Sequence, residues 1–310
     1  MMKALNGNAK RNMTPRNRAL VFACLCAVSI LFWRHPLGIT LGLALSNDAY
    51  THILLILPMS AALIYFDAKH QDSKALQIAP QPSPRVGAAL LVLALLVGAC
   101  ARWWMVAAPG GVRLSVGMFA LVTWWIASVL LCFGARTFRS FLFPLCFLFL
   151  MVPIPEFALR WIVEFLQQQS AVAARIAFRA FGVPVTQDGI LLSIPGLDVE
   201  VARECSSIRS SLMLVVTTMV LAHLFLLSWW RKALLVVATI PLSVAKNGLR
   251  IFMIAELGTR VDPGFLNGKL HHNGGIIFFG IAVGVVAVLL WILRRTEFRM
   301  QFRHPAPLAE

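Results

Sequence analysis

Three short polar blocks interrupt an otherwise apolar chain, and between them they hold side chains able to make and break a peptide bond. Arg203 to Ser211 reads RECSSIRSS, Lys246 to Ile251 reads KNGLRI, and Leu270 to Phe279 reads LHHNGGIIFF. Cys205 supplies a thiol; its thiolate is the attacking form, favoured at a helix N-terminus and beside cations. Attack on a peptide carbonyl gives a thioester and divides one difficult step into two. His271 supplies an imidazole that takes the thiol proton and returns it to the leaving amine, since imidazole titrates near neutrality. Arg250 supplies a permanent charge with fixed donors, suited to holding an oxyanion or orienting a substrate. Water would release the acyl group as a protease does, and an incoming amine as a transpeptidase does; the residues leave both open.

Each of these side chains also has a plain packing role: a cysteine at a helix start fills space, a histidine beside glycines caps, and an arginine in a span snorkels. Arg250 fits such a role least, because an intramembrane charge costs at least about 2.5 kcal/mol and usually marks function. Asn247, three residues earlier, shares its helical face and is placed to hold the guanidinium. Glu204 has two readings, orienting a histidine or forming a surface ion pair with Arg203 or Arg209.

The elements that must position these groups are membrane spans. The chain has 310 residues, 59% hydrophobic and 13% charged, and its mean hydropathy is +0.78; a soluble domain carries roughly 25% charge. The apolar residues fall in blocks of about 15 to 24, enough to cross a hydrocarbon layer of about 30 Å with some tilt or thinning. Eight spans are expected, near Ala19 to Trp33, Tyr50 to Phe66, Val86 to Ala107, Leu114 to Phe133, Phe141 to Val152, Cys205 to Leu227, Ala233 to Leu257 and Gly274 to Leu293. The fold class is therefore all-α, a polytopic transmembrane helical bundle with an interfacial helix and short extended segments in an outer loop.

Charge sets the orientation. With the N-terminus inside, the inner segments hold 16 of the 28 basic residues against four acids, so they carry +12 of the net +15 and leave +3 elsewhere. Basic residues held inside orient a membrane protein, so both termini are expected in the cytoplasm and the basic excess requires no nucleic acid. In this topology Cys205 and His271 each begin a helix running from outside to inside. Arg250 lies in a helix of opposite direction, about 10 Å below its outer end. All three then come to similar depth on the outer side.

The sequence divides into a basic cytoplasmic tail (residues 1–18), N-terminal transmembrane helices (19–152), an extracytoplasmic interfacial segment (153–204), C-terminal helices carrying the reactive groups (205–293) and a cytoplasmic tail (294–310). The first span is read as a retained anchor, since Trp33, Arg34, His35 and Pro36 follow it without a small-residue cleavage pattern. In Ser46 to His52 (SNDAYTH), Asn47 or Asp48 is read as a helix cap, with Tyr50 at the headgroups, in preference to a direct catalytic role for the acid and the histidine. Glu156 to Phe181 reads as a helix lying in the interface or dipping into the membrane beside the active face, and Gly189 to Ile194 and Leu197 to Ala202 as short strands or extended pieces. Cys24, Cys26, Cys100, Cys132 and Cys146 lie in or at the ends of apolar helices and read as small hydrophobes. No spacing marks a disulfide framework, metal site or phosphate loop, so no cofactor and no metal is assigned.

The order E-C-S-S-I-R at Glu204 to Arg209, N-G-L-R-I at Asn247 to Ile251 and H-H-N-G-G at His271 to Gly275 resembles the exosortases, relatives of the archaeosortases. Asp48 with His52, Phe143 to Pro155, Leu166 to Ser170 and Gly182 to Pro184 resemble the family in the same order, so the likeness covers about Asn47 to Phe279. The resemblance implies a cysteine transpeptidase or protease of the bacterial inner membrane, acting at its extracytoplasmic face. Its implied partners are exported proteins whose C-termini carry a short Pro-Glu-Pro-type motif, a membrane helix and a basic tail, often in bacteria making exopolysaccharide. The family's cysteine, arginine and histidine carry over onto Cys205, Arg250 and His271, with His272 as the alternative imidazole. Ser207 departs from the pattern, standing where many members have glycine.

The rival expectation is a non-enzymatic component of exopolysaccharide export or polymerisation. It predicts that Cys205→Ala leaves function intact, whereas a thiol enzyme predicts loss. A transporter would show repeated halves or midplane polar groups, and neither pattern is present in the sequence. Membrane lipid is an expected partner; the sequence leaves oligomeric state open.

Overall fold

A computed structural model of the chain describes residues 14–70, 83–201, 208–262, 264 and 269–303, with the side chains of residues 70, 106, 269–274 and 300–303 outside that description. Among the described residues, seven helices are long and apolar enough to cross a membrane. An eighth crossing is counted when Leu142–Met151 and Glu156–Ala180 are taken as one bent span. The fold is the expected polytopic helical bundle, carrying one small sheet of three strands. It forms two compact units.

The first unit comprises Met1–Ser46 and Ile53–Pro155. Its helices are α1 (Pro15–Phe32), α2 (Arg34–Ser46), α3 (Ile53–His70), α4 (Pro84–Ala99), α5 (Gly110–Ser140) and α6 (Leu142–Phe147). Thr14 caps α1 by accepting from the Asn17 N–H at 3.3 Å, with Pro15 in the first turn, where its missing N–H is harmless. The long α5 packs against α1, α2 and α4. Trp124 Nε1 donates to the Leu25 carbonyl at 3.0 Å and Trp125 Nε1 to Ser29 Oγ at 2.9 Å, fixing α5 on α1. Gly87 of α4 lies so close to α5 that an added Cβ would stand 2.7 Å from the Leu131 backbone. The span expected to end at Phe133 meets a kink one residue later, where Gly134 adopts a φ of 87°, a left-handed conformation glycine takes without steric cost. Helix α2 falls in a stretch to which no span was assigned; its Pro36 sits in the first turn, where proline is tolerated.

The second unit comprises Asn47–His52 and Glu156–Glu310. After a 3₁₀ turn at Asp48–Tyr50 it contains α7 (Glu156–Ala180), strands β1 (Thr186–Asp188), β2 (Leu191–Ile194) and β3 (Leu197–Glu200), then α8 (Ile208–Phe225), α9 (Trp229–Arg260) and α10 (Lys269–Arg303). The strands pair antiparallel in the order β1-β2-β3, with Gln187 opposite Leu192 and Leu192 opposite Val199.

Helix α7 is amphipathic. Its Ala171, Ala174 and Phe178 join Leu192, Ile194 and Val201 and the Ile251, Phe252 and Ala255 of α9 in one core, while Phe157, Trp161 and Phe165 are exposed. A second core unites α8, α9 and α10 through Leu214, Ala222, Leu226, Leu235, Ala282, Val286 and Leu290. Helices α8 and α9 are joined by three residues and pack together, the arrangement of an antiparallel hairpin.

Candidate active site

The register of the three-helix part is set at one end by a carboxylate. Glu297 of α10 accepts from the backbone N–H of Leu227 at 3.0 Å and of Ser228 at 2.7 Å, and its oxygen lies 3.3 Å from Arg231 of α9. Both charged side chains are buried, and four complementary groups satisfy one another where the α8–α9 link would otherwise leave open donors. From this clasp, nineteen residues separate Leu227 from Ile208 and nineteen separate Arg231 from Arg250. At the helical rise, both distances are about 28 Å. The first turn of α8 and Arg250 therefore stand at one level, at the far end of the unit. His271 and His272 occupy the opening turns of α10, with twenty-six residues between His271 and Glu297, or about 39 Å. The backbone of α10 thus reaches that end and continues about 10 Å beyond it; the imidazoles themselves are outside the described residues.

Direct contacts confirm the level. Lys246 Nζ of α9 donates to Ser210 Oγ in the first turn of α8. Arg250 is one turn further along α9, in the direction from which the chain enters α8. Lys246, Asn247 and Arg250 are 6%, 0% and 8% exposed, so they stand on the packed side of α9. Gly248 between them explains how a third helix reaches this point: a Cβ there would stand 2.5 Å from that of Ala173 in α7. Without a side chain at 248, α7 closes on α9 beside the two polar residues.

Cys205 and Glu204 lie outside the described residues, but both ends of their segment are held. On one side Gln167 Nε2, buried in α7, donates to the Val201 carbonyl at 2.8 Å, and the Val201 N–H donates to Ile190 at 3.0 Å. On the other, Arg209 pairs with Asp48 at 2.8 Å and Ser210 accepts from Lys246.

Of the readings of SNDAYTH, the cap is narrowed to one residue and the place of Tyr50 changes. Asn47 is the cap, its Oδ1 accepting from the Ala49 N–H at 3.0 Å, while Asp48 is engaged with Arg209, an exposed pair worth about 1 kcal/mol or less. Tyr50 is 6% exposed, so protein and not headgroups covers its ring. His52 is buried as well. The residue missed by sequence reasoning is Lys246. Its signal was a second cation within one span, four residues from Arg250, where each central charge costs about 2.5 to 3.5 kcal/mol on the insertion scale. Cys24, Cys26, Cys100, Cys132 and Cys146 are free thiols.

Compared with known proteins, the chain matches a family model described as transmembrane exosortase over residues 43–292. That range runs from the end of α2 through most of α10 and includes all three polar blocks. No curated protein and no solved structure matches.

Proposed function

The chain belongs to the transmembrane exosortase family, and on that premise we propose that it is a cysteine transpeptidase or protease that cuts the C-terminal sorting signal of exported proteins. The signal is a short Pro-Glu-Pro-type motif, a membrane helix and a basic tail. The enzyme sits in the bacterial inner membrane with both termini cytoplasmic, and it works at the extracytoplasmic face.

Cys205 gives its proton to His271, and its sulfur attacks the carbonyl carbon of the scissile peptide. Arg250 holds the oxyanion that forms or orients the carbonyl. Collapse of the tetrahedral species breaks the C–N bond, His271 returns the proton to the leaving amine, and the N-terminal part of the substrate remains as a thioester. Water gives a free carboxylate, or an amine gives a new amide; either restores the thiol. Glu204 and Asn247 support the imidazole and the guanidinium.

The observation that carries this reading is that Arg250 and the first turn of α8 stand at one level. A family match spans all three motifs, and within the second unit Arg250 stands one turn from the Lys246–Ser210 contact, with Cys205 tethered three residues before the start of α8. The test is co-expression with a tagged substrate bearing such a tail. Cys205→Ala, Arg250→Ala and His271→Ala should each accumulate full-length substrate, with rates down at least about a hundredfold, while His272→Ala processes it. Normal processing by Cys205→Ala would end the thiol mechanism, and a defect confined to His272→Ala would move the imidazole by one residue.

A further inference from the structure

One face of α9 is polar where a membrane span is ordinarily apolar. Ser243, Lys246, Asn247 and Arg250 recur at intervals of three and four residues and so share one stripe. All four are buried, and the stripe runs about 10 Å along the helix. Lys246 lies within it as a compact charge with three donors. Its hydrogen-bond partner is the neutral hydroxyl of Ser210, and a like charge, Arg250, follows one turn later.

Three other cations of the unit meet acids. Arg231 has Glu297, Arg209 has Asp48 and Arg260 has Glu256. Among the described residues no carboxylate pairs with Lys246. A buried charge is retained at high cost unless an opposite charge meets it. A carboxylate carried by the substrate would meet the charge of Lys246. Its burial favours a slender side chain over a bulky lipid headgroup.

We infer that Lys246 is a specificity-determining residue that takes a carboxylate side chain of the peptide being processed, one turn from Arg250. This rests on the peptide-processing reading above. The bound carboxylate would register the substrate against the reacting groups, so the charge of Lys246 sets which peptides are accepted.

The test uses the full chain in vesicles with three reporters, identical tripartite tails whose short motif carries Glu, Gln or Lys at its central position. Wild type is expected to process the Glu reporter at least about tenfold faster than the Gln reporter, the scale of one lost charged contact. In Lys246→Met the Glu-to-Gln ratio falls to about one, and in Lys246→Glu the Lys reporter becomes the preferred substrate, again by about tenfold. Lys246→Arg, which keeps the charge, restores a ratio above one. A wild type indifferent to Glu against Gln overturns the assignment, and so does a Lys246→Met that keeps the Glu preference. If removing anionic lipid from the vesicles slows all three reporters equally and the ratio stays at one, the anion is a headgroup and the assignment to substrate fails. Cys205→Ala separates the two levels: it abolishes every reporter if the thiol reading holds, whatever the Glu-to-Gln ratio of wild type.

Discussion

The two units bury different kinds of polar group. In the first, the buried polar side chains are the hydroxyls of Ser29, Thr40, Ser60, Ser115 and Ser128, with Arg18 the one charge among the described residues. Several hydroxyls close a nearby carbonyl, as Ser60 does for Pro144 at 2.8 Å and Ser115 for Pro153 at 2.6 Å. In the second unit the buried groups include Arg231, Lys246, Arg250 and Glu297, together with His52, Gln167 and Asn247. Neutral hydroxyls bonded to backbone add modestly to packing. Buried charges cost more than they return unless each finds its partner. The first unit is thus a packed set of spans held by neutral contacts, whereas the second depends on where its charges find partners.

The sharpest test of that contrast is removal of one partner on each side. Glu297→Ala leaves Arg231 and two backbone donors without their acceptor, and should lower stability by about 3 kcal/mol, read as a drop in Tm of the detergent-solubilised protein. Adding Arg231→Met should recover more than half of the loss. Ser60→Ala in the first unit should cost only about 1 kcal/mol. Equal effects from Glu297→Ala and Ser60→Ala would erase the distinction between the units.

A smaller effect separates packing from function. Gly87→Ala and Gly248→Ala each force a Cβ against a neighbouring helix, and each should cost about 1 to 3 kcal/mol. Processing normalised to folded protein should fall only for Gly248→Ala, which displaces α7 from the helix carrying Asn247 and Arg250. A matching fall for Gly87→Ala would show that the first unit also shapes the site.

Much of this was legible from residue type and spacing. Apolar blocks marked the spans, and the Gly134 kink lies one residue from an expected boundary. The helix expected from Glu156 forms at Glu156–Ala180, and the two expected extended pieces contain β2 and β3. Strand β1 escaped notice because three residues, Thr186 to Asp188, carry too little alternation to register. Helix α2 was hidden by Pro36, which reads as a break unless it is known to fall in a first turn. At the site, Asn247 and Arg250 stood out as intramembrane polar groups. Lys246 did not, because a lysine in a span ordinarily snorkels, and only its packing shows it buried. The pairing of Asp48 with Arg209 joins residues 161 apart, a distance over which no local pattern carries information.

The proposed thiol mechanism requires a sulfur atom that becomes acylated. Purified protein mixed in excess with the tripartite reporter, quenched during a single turnover and digested for mass spectrometry, should yield the N-terminal reporter fragment joined to the peptide containing Cys205. Hydroxylamine should release it, as expected of a thioester. Cleaved reporter with no covalent species at any time point, or an adduct on a residue other than Cys205, would contradict the mechanism.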